Sequence, residues 1–124
     1  MAGDRKLFGG LTKSPDEIRA EHLREWASSV AGTTPISEVT PRNRARIAGV
    51  IQKIRIDPRE GRDSIEATII DGTGRMKVKW LGRQSMSGIS LGMGLVVEGT
   101  IGGSQKDLTI LNPEYRLVPG AEHG

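Results

Sequence analysis

The chain has 124 residues, 27% of them charged and 35% apolar, with 17 Gly and no Cys. That length holds one domain with a single modest core. It leaves no disulfide framework, thiolate metal site or cysteine nucleophile, and no apolar run approaches the ~18 residues of a membrane-spanning helix. The N-terminus lacks the apolar core of a signal peptide, so a cytoplasmic protein with no membrane contact is expected.

The net charge is +3, unevenly spread. Residues 42–83 carry eleven Lys/Arg against five Asp/Glu, net +6, while the stretches before and after them are net −1 and −2. Such asymmetry is the footprint of a surface that meets a polyanion, although arginine-rich solvated faces also produce it.

Residues 1–13, with Gly9-Gly10 and scattered basic residues, read as an arm. Ser14-Pro15-Asp16-Glu17 is a helix start. Ser14 can cap, Pro15 suits the first helical position, and Glu17 completes a capping box. Ile18, His22, Trp26 and Val30 recur every four residues and predict a packed stripe on a helix from Ser14 to about Ala31. Asp16, Glu17, Glu21 and Glu25 make the other face acidic, which is expected to keep the helix out of nucleic-acid contact. His22 has only His123 for company, so it reads as a partly buried side chain beside Trp26 and not as a metal ligand.

Arg44 to Ile56 predicts a long first strand. Its apolar alternation changes parity near Gln52, as one extra residue in a β-bulge would cause, and Gly49 permits a bend. Asp57 to Arg62 is a charged connection. Ile65 to Ile70 and Arg75 to Leu81 predict the second and third strands, joined by a tight turn at Asp71-Gly72-Thr73-Gly74. In the third strand, Arg75, Lys77 and Lys79 alternate with Met76, Val78 and Trp80, so three cations share one face. Parity favours a core place for Trp80 over a stacking role. Gly82 to Leu91 lacks a clear period and could hold one helical turn around Arg83 to Ser87. Leu95 to Ile101 and Leu108 to Leu111 predict the fourth and fifth strands. Tyr115, Leu117 and Val118 extend the last one or lie against the barrel.

This order predicts an all-β, five-stranded OB-fold barrel with an N-terminal α-helix. A sandwich or SH3-like barrel competes, but neither explains a connection as long as Gly82–Leu91. The expected division is an N-terminal arm and helix at 1–41, the barrel at 42–118 and a tail at 119–124.

Gly49, Asp71-x-Thr73-Gly74, Trp80, Gly92, Gly99 and Asn112-Pro113-Glu114-Tyr115 together resemble the nucleic-acid-binding OB domains. Within that group the pattern is similar to the wedge domain of RecG-type helicases and to tRNA-anticodon-binding OB domains. The Arg-heavy composition and the segment Trp80-Leu81-Gly82-Arg83, with Pro35-Ile36, resemble small stand-alone actinobacterial OB proteins. The resemblance implies a binding module. It does not extend to helicase activity, because the chain has no Gly-x4-Gly-Lys-Ser/Thr phosphate loop.

OB proteins bind single strands on the face of strands two and three and in the flanking loops. The residues expected to do this here are Arg75, Lys77 and Lys79, Arg46 from the first strand, Arg55, Arg59 and Arg62 from the strand 1–2 connection, and Lys106 from the last turn. The expected partner is single-stranded DNA or RNA, held weakly and in a salt-dependent way, since only Phe8, Trp26, Trp80 and Tyr115 could stack on bases. No metal or cofactor is expected. Asp71 reads as turn chemistry and no nucleophile–base pair can be identified, so catalysis is not expected. The competing reading is an assembly subunit that meets a protein partner through the barrel and helix.

Overall fold

A computed structural model describes residues 13–58, 63–83 and 85–120. Arg59 and Arg62 lie outside the described residues, as does Phe8. The chain begins with helix α1 (Pro15–Ser28), followed by a short 3₁₀ turn (Ile36–Glu38). Six strands follow: β1 (Arg44–Asp57), β2 (Ser64–Ile70), β3 (Arg75–Leu81), β4 (Gly94–Ser104), β5 (Asp107–Leu111) and β6 (Glu114–Val118).

Five of them close a ring. The order β1-β2-β3-β5-β4 returns to β1 through a second β1–β4 pairing. All pairings are antiparallel except β3–β5, which is parallel. Closure removes the exposed edges of an open sheet. β1 closes the ring because its first half pairs β4 and its second half pairs β2. The parity change predicted near Gln52 is real. Ile51 pairs Ile69 and Lys53 pairs Thr68, so Gln52 is the extra residue of a bulge. Gly49 is required just before it, because a Cβ there would sit 2.9 Å from the Cβ of Ile69.

The last stretch is a strand of its own. β4 uses one edge twice: Ile101–Ser104 pairs β5, and Gly94–Glu98 pairs β6. Asn112-Pro113 makes the break between them, with Asn112 at a positive φ of 50°. Asn112 Oδ1 accepts from the Leu81 amide at 2.9 Å, and the Asn112 amide donates to the Lys79 carbonyl at 2.6 Å. The break is thereby tied to β3.

The interior holds Ile47, Ile51, Ile65, Ile69, Met76, Val78, Trp80, Leu95, Val97 and Ile110, all buried. Trp80 is core, as parity indicated. Its Nε1 donates to the Pro113 carbonyl at 3.2 Å, and its ring meets Tyr115 edge-on at 5.3 Å. Residues 82–93 contain turns and, among the described residues, no helix. Met86 of this stretch joins the core.

α1 packs on the barrel through half of the predicted stripe, Trp26 and Val30, and not through Ile18 or His22. Ile18 is 55% exposed and His22 is also exposed, while Leu23 and Ala27 are buried. A stripe that advances four residues at a time drifts about 40° per step around a helix of 3.6 residues per turn. The face that packs is Leu23, Trp26, Ala27 and Val30, spaced three, four and seven apart. It covers Ala48 and Val50 of β1 and Val96 of β4. Trp26 Nε1 donates to the Pro119 carbonyl at 2.9 Å, which ties the helix to the end of the barrel chain.

Candidate nucleic-acid interface

The outward side chains of the sheet fall into rows set by register. Val50, Ile70 and Arg75 form the first. Lys53, Thr68, Lys77 and Thr109 form the second, running from β1 through β2 and β3 to β5. Arg55, Glu66, Lys79 and Leu111 form the third. α1 sits over the first row, where Val50 and Ile70 pack on Leu23. In the second and third rows Lys53, Arg55, Lys77 and Leu111 are exposed among the described residues.

Between the second row and the β4–β5 turn lies a groove of about 330 Å³. Lys53, Arg75, Lys77 and Lys106 line it, together with Gln52, Thr68 and Asp107. Four cations around one concavity produce a positive potential that its walls focus. The field is tempered locally. Lys77 Nζ lies 3.6 Å from Asp107 Oδ1, and Glu66 stands between Arg55 and Lys79 in the third row. The Lys77–Asp107 pair is solvent-exposed on both sides, so it is worth under about 1 kcal/mol and yields readily to a stronger anion.

Six of the eight expected contact residues are described. Arg75, Lys77 and Lys106 meet in the groove, with Lys79 and Arg55 one row along. Arg55 lies within β1 and not in a loop. Arg46 does not join them. It precedes the bulge, where outward parity is the opposite one, and it stands opposite Glu98 in a small concavity with Arg116 and Tyr115. Lys53 was missed by sequence reasoning. The signal was present, because the parity change at Gln52 carries Lys53 and Arg55 to the outer face together.

The motif residues have structural tasks. Asp71 is 1% exposed. Its Oδ1 accepts from the Thr73 amide at 2.9 Å, the Thr73 hydroxyl at 2.7 Å and the Gly74 amide at 3.1 Å. Its Oδ2 accepts from the Ile36 amide at 2.9 Å, and Thr73 Oγ1 accepts from the Ser37 amide at 3.1 Å. Asp-x-Thr-Gly therefore clasps the β2–β3 hairpin to the 3₁₀ turn, with both carboxylate oxygens accepting hydrogen bonds. Asn112-Pro113 makes the strand break and receives the Trp80 indole N–H. Neither motif reaches the groove.

A closed barrel with a parallel β3–β5 pairing and a bulged first strand defines an OB fold, and solved structures agree. A domain of replication protein A from Methanococcus maripaludis matches with a TM-score of 0.58 at 14% identity, over 71% of this chain and 97% of that one. An OBody bound to hen egg-white lysozyme matches with a TM-score of 0.55 at 16% identity, over 73% and 96%. A replication protein A heterotrimer bound to ssDNA matches with a TM-score of 0.48 at 21% identity, over 64% and 61%. No protein-family model matches the sequence, and no curated protein does.

Proposed function

We propose that the protein is a non-catalytic module that binds single-stranded nucleic acid across the open rows of β1, β2 and β3. One observation carries the reading: Lys53, Arg75, Lys77 and Lys106 converge on one groove, although they come from three separate stretches of chain. Lysines and arginines spaced along a groove can follow a phosphate backbone, whose charges repeat along the strand. The fold shared with a domain of replication protein A supports the reading. Among the described residues no aromatic ring lines the groove, so affinity would come from phosphate contacts, with little discrimination among base sequences.

The test is a fluorescence-anisotropy titration of labelled single-stranded DNA, single-stranded RNA and duplex DNA across a range of salt. Each phosphate contact on a single strand contributes roughly −0.7 to the slope of log affinity against log salt. If all six described cations of the groove and its neighbouring row make contact, the slope approaches about −4. Replacing Lys77 and Lys79 by Glu should flatten it by about 1.4 or more and weaken all base sequences alike. A wild-type protein with no salt-sensitive binding to any single strand at low salt would refute the reading.

A protein partner on the same face is the second reading. It is favoured by the OBody, a similar fold bound to a protein. Under it, the double substitution leaves thermal stability unchanged and abolishes co-purification with that partner.

A further inference from the structure

A second cleft of about 440 Å³ lies between α1 and the β2–β3 hairpin. Its lining includes Arg19, Ala20 and Leu23 of the helix, Gln52 at the bulge, and Ile70 and Arg75 of the hairpin strands. Two of these, Gln52 and Arg75, also line the basic groove, so the two concavities run into one another. We propose that this cleft receives one nucleobase of the strand held in the groove, so that the strand continues from the barrel onto the helix. The proposal rests on the nucleic-acid reading of the groove.

The chemistry fits a base better than a phosphate. Leu23 is buried and Ile70 half-buried, and they pack together to give an apolar floor. Arg19 and Arg75 are exposed on its two sides. A guanidinium is planar and stacks on a flat ring as well as binding phosphate. Gln52 is exposed at the junction, and its amide can both donate to and accept from a base edge. Asp16 also lines the cleft and offsets one of the two arginines, so the site is less positive than the groove. That gradient suits phosphates in the groove and a base in the cleft.

The cleft walls are held in place. Arg24 Nη1 donates to the Gly72 carbonyl at 3.1 Å. Gly72 has a φ of 85°, and a Cβ there would collide with the Ala20 carbonyl, so the turn backbone touches the helix backbone directly. The acidic helix face is also partly neutralised. Lys13 pairs with Glu21 and holds its carboxyl below the ordinary range by hydrogen bonding. Acidity of α1 therefore does not by itself exclude a nucleic acid from this side.

The experiment is a length series of labelled oligothymidylates, from about four to about ten nucleotides, titrated against the full chain and its Arg19→Ala variant at low salt. In the wild type, affinity should rise with length until the cleft is filled. In Arg19→Ala the gain from short to long oligomers should shrink roughly five- to tenfold, the scale of one lost stacking contact. A photoreactive thymidine analogue at either end of the long oligomer should cross-link to residues 15–28, mapped by mass spectrometry. An unchanged length dependence in Arg19→Ala, with cross-links confined to the barrel, overturns the proposal. If the Lys77→Glu, Lys79→Glu pair still abolishes binding in that case, the groove reading stands and only the cleft is lost. Absence of wild-type binding overturns both.

Discussion

Asp71→Asn is the sharpest test of how the barrel is held to its N-terminal segment. The carboxylate accepts four hydrogen bonds, three at Oδ1 from Thr73 and Gly74 and one at Oδ2 from the Ile36 amide. Asparagine keeps one carbonyl oxygen, which can serve the Oδ1 cluster. Its NH₂ then faces the Ile36 N–H, so two donors oppose each other. Ile36 is buried, at 2% exposure, and its amide has no ready route to water. An unsatisfied buried donor costs about 1–3 kcal/mol. The three remaining bonds also lose their charge assistance, which makes such bonds roughly twice as strong as neutral ones. The expected loss is about 3 kcal/mol in urea denaturation with the slope m unchanged, a large share of the ~5–15 kcal/mol typical of a domain. Thr73→Val should cost less, about 1 kcal/mol, because Ser37 is exposed and its amide can bond water instead. If Asp71→Asn stays within about 0.5 kcal/mol of wild type, the ordinary range for surface changes, the clasp contributes nothing and the carboxylate must be retained for another reason.

Other outcomes follow from the same geometry. Lys53→Glu should weaken single-strand binding as much as Lys77→Glu in anisotropy titrations, whereas Arg46→Glu should leave it unchanged; equal effects at 46 and 53 would mean that the register rows do not define the face. Asp107→Asn removes the acid beside Lys77, so low-salt affinity should rise roughly two- to fivefold, the worth of an exposed pair; a weakened complex would assign Asp107 a direct contact. Gly49→Ala should cost about 1–3 kcal/mol by forcing Ile69 to shift, and a thermal melt at the wild-type temperature would show that the interior gives way without cost.

The barrel was legible in the sequence because period-two alternation is clear in β3 and recurs, with interruptions where α1 covers the outer face, in β1 and β4. The bulge was legible for the same reason: parity broke in one place. The strand β6 was harder, because Glu114, Tyr115, Arg116, Leu117 and Val118 follow a proline break and pair along the edge of β4. Its half-buried side chains carry a weaker alternation. The helix face misled because Ile18 and His22 fell on a tidy four-residue spacing, while Leu23 and Ala27 interdigitate with small residues, Ala48 among them, that no helix pattern reveals. The site was half legible. Alternation in β3 placed three cations on one side, but which neighbours they meet depends on cross-strand register, and register is a tertiary fact. The motif residues were legible as a set and misleading about purpose, since a buried clasp and a binding loop can share the same residue types.

The bulge at Gln52 is what separates the two uses of β1. Before it, even-numbered positions point outward, and Ala48 and Val50 offer a small apolar patch that α1 covers. After it, odd-numbered positions point outward, and Lys53 and Arg55 join the open rows of β2 and β3. If Gln52 were instead paired in the ladder with no bulge, a single parity would run the length of the strand. Lys53 and Arg55 would then turn into the barrel and Ile54 would turn out, an arrangement that burial of two unpaired charges forbids. The bulge thus absorbs Gln52 and keeps Lys53 and Arg55 outward as β1 passes from a covered face to an exposed cationic one. Gln52 itself stands where those faces meet and lines both concavities, so the boundary between helix and barrel is also the point at which a bound strand would pass from one to the other.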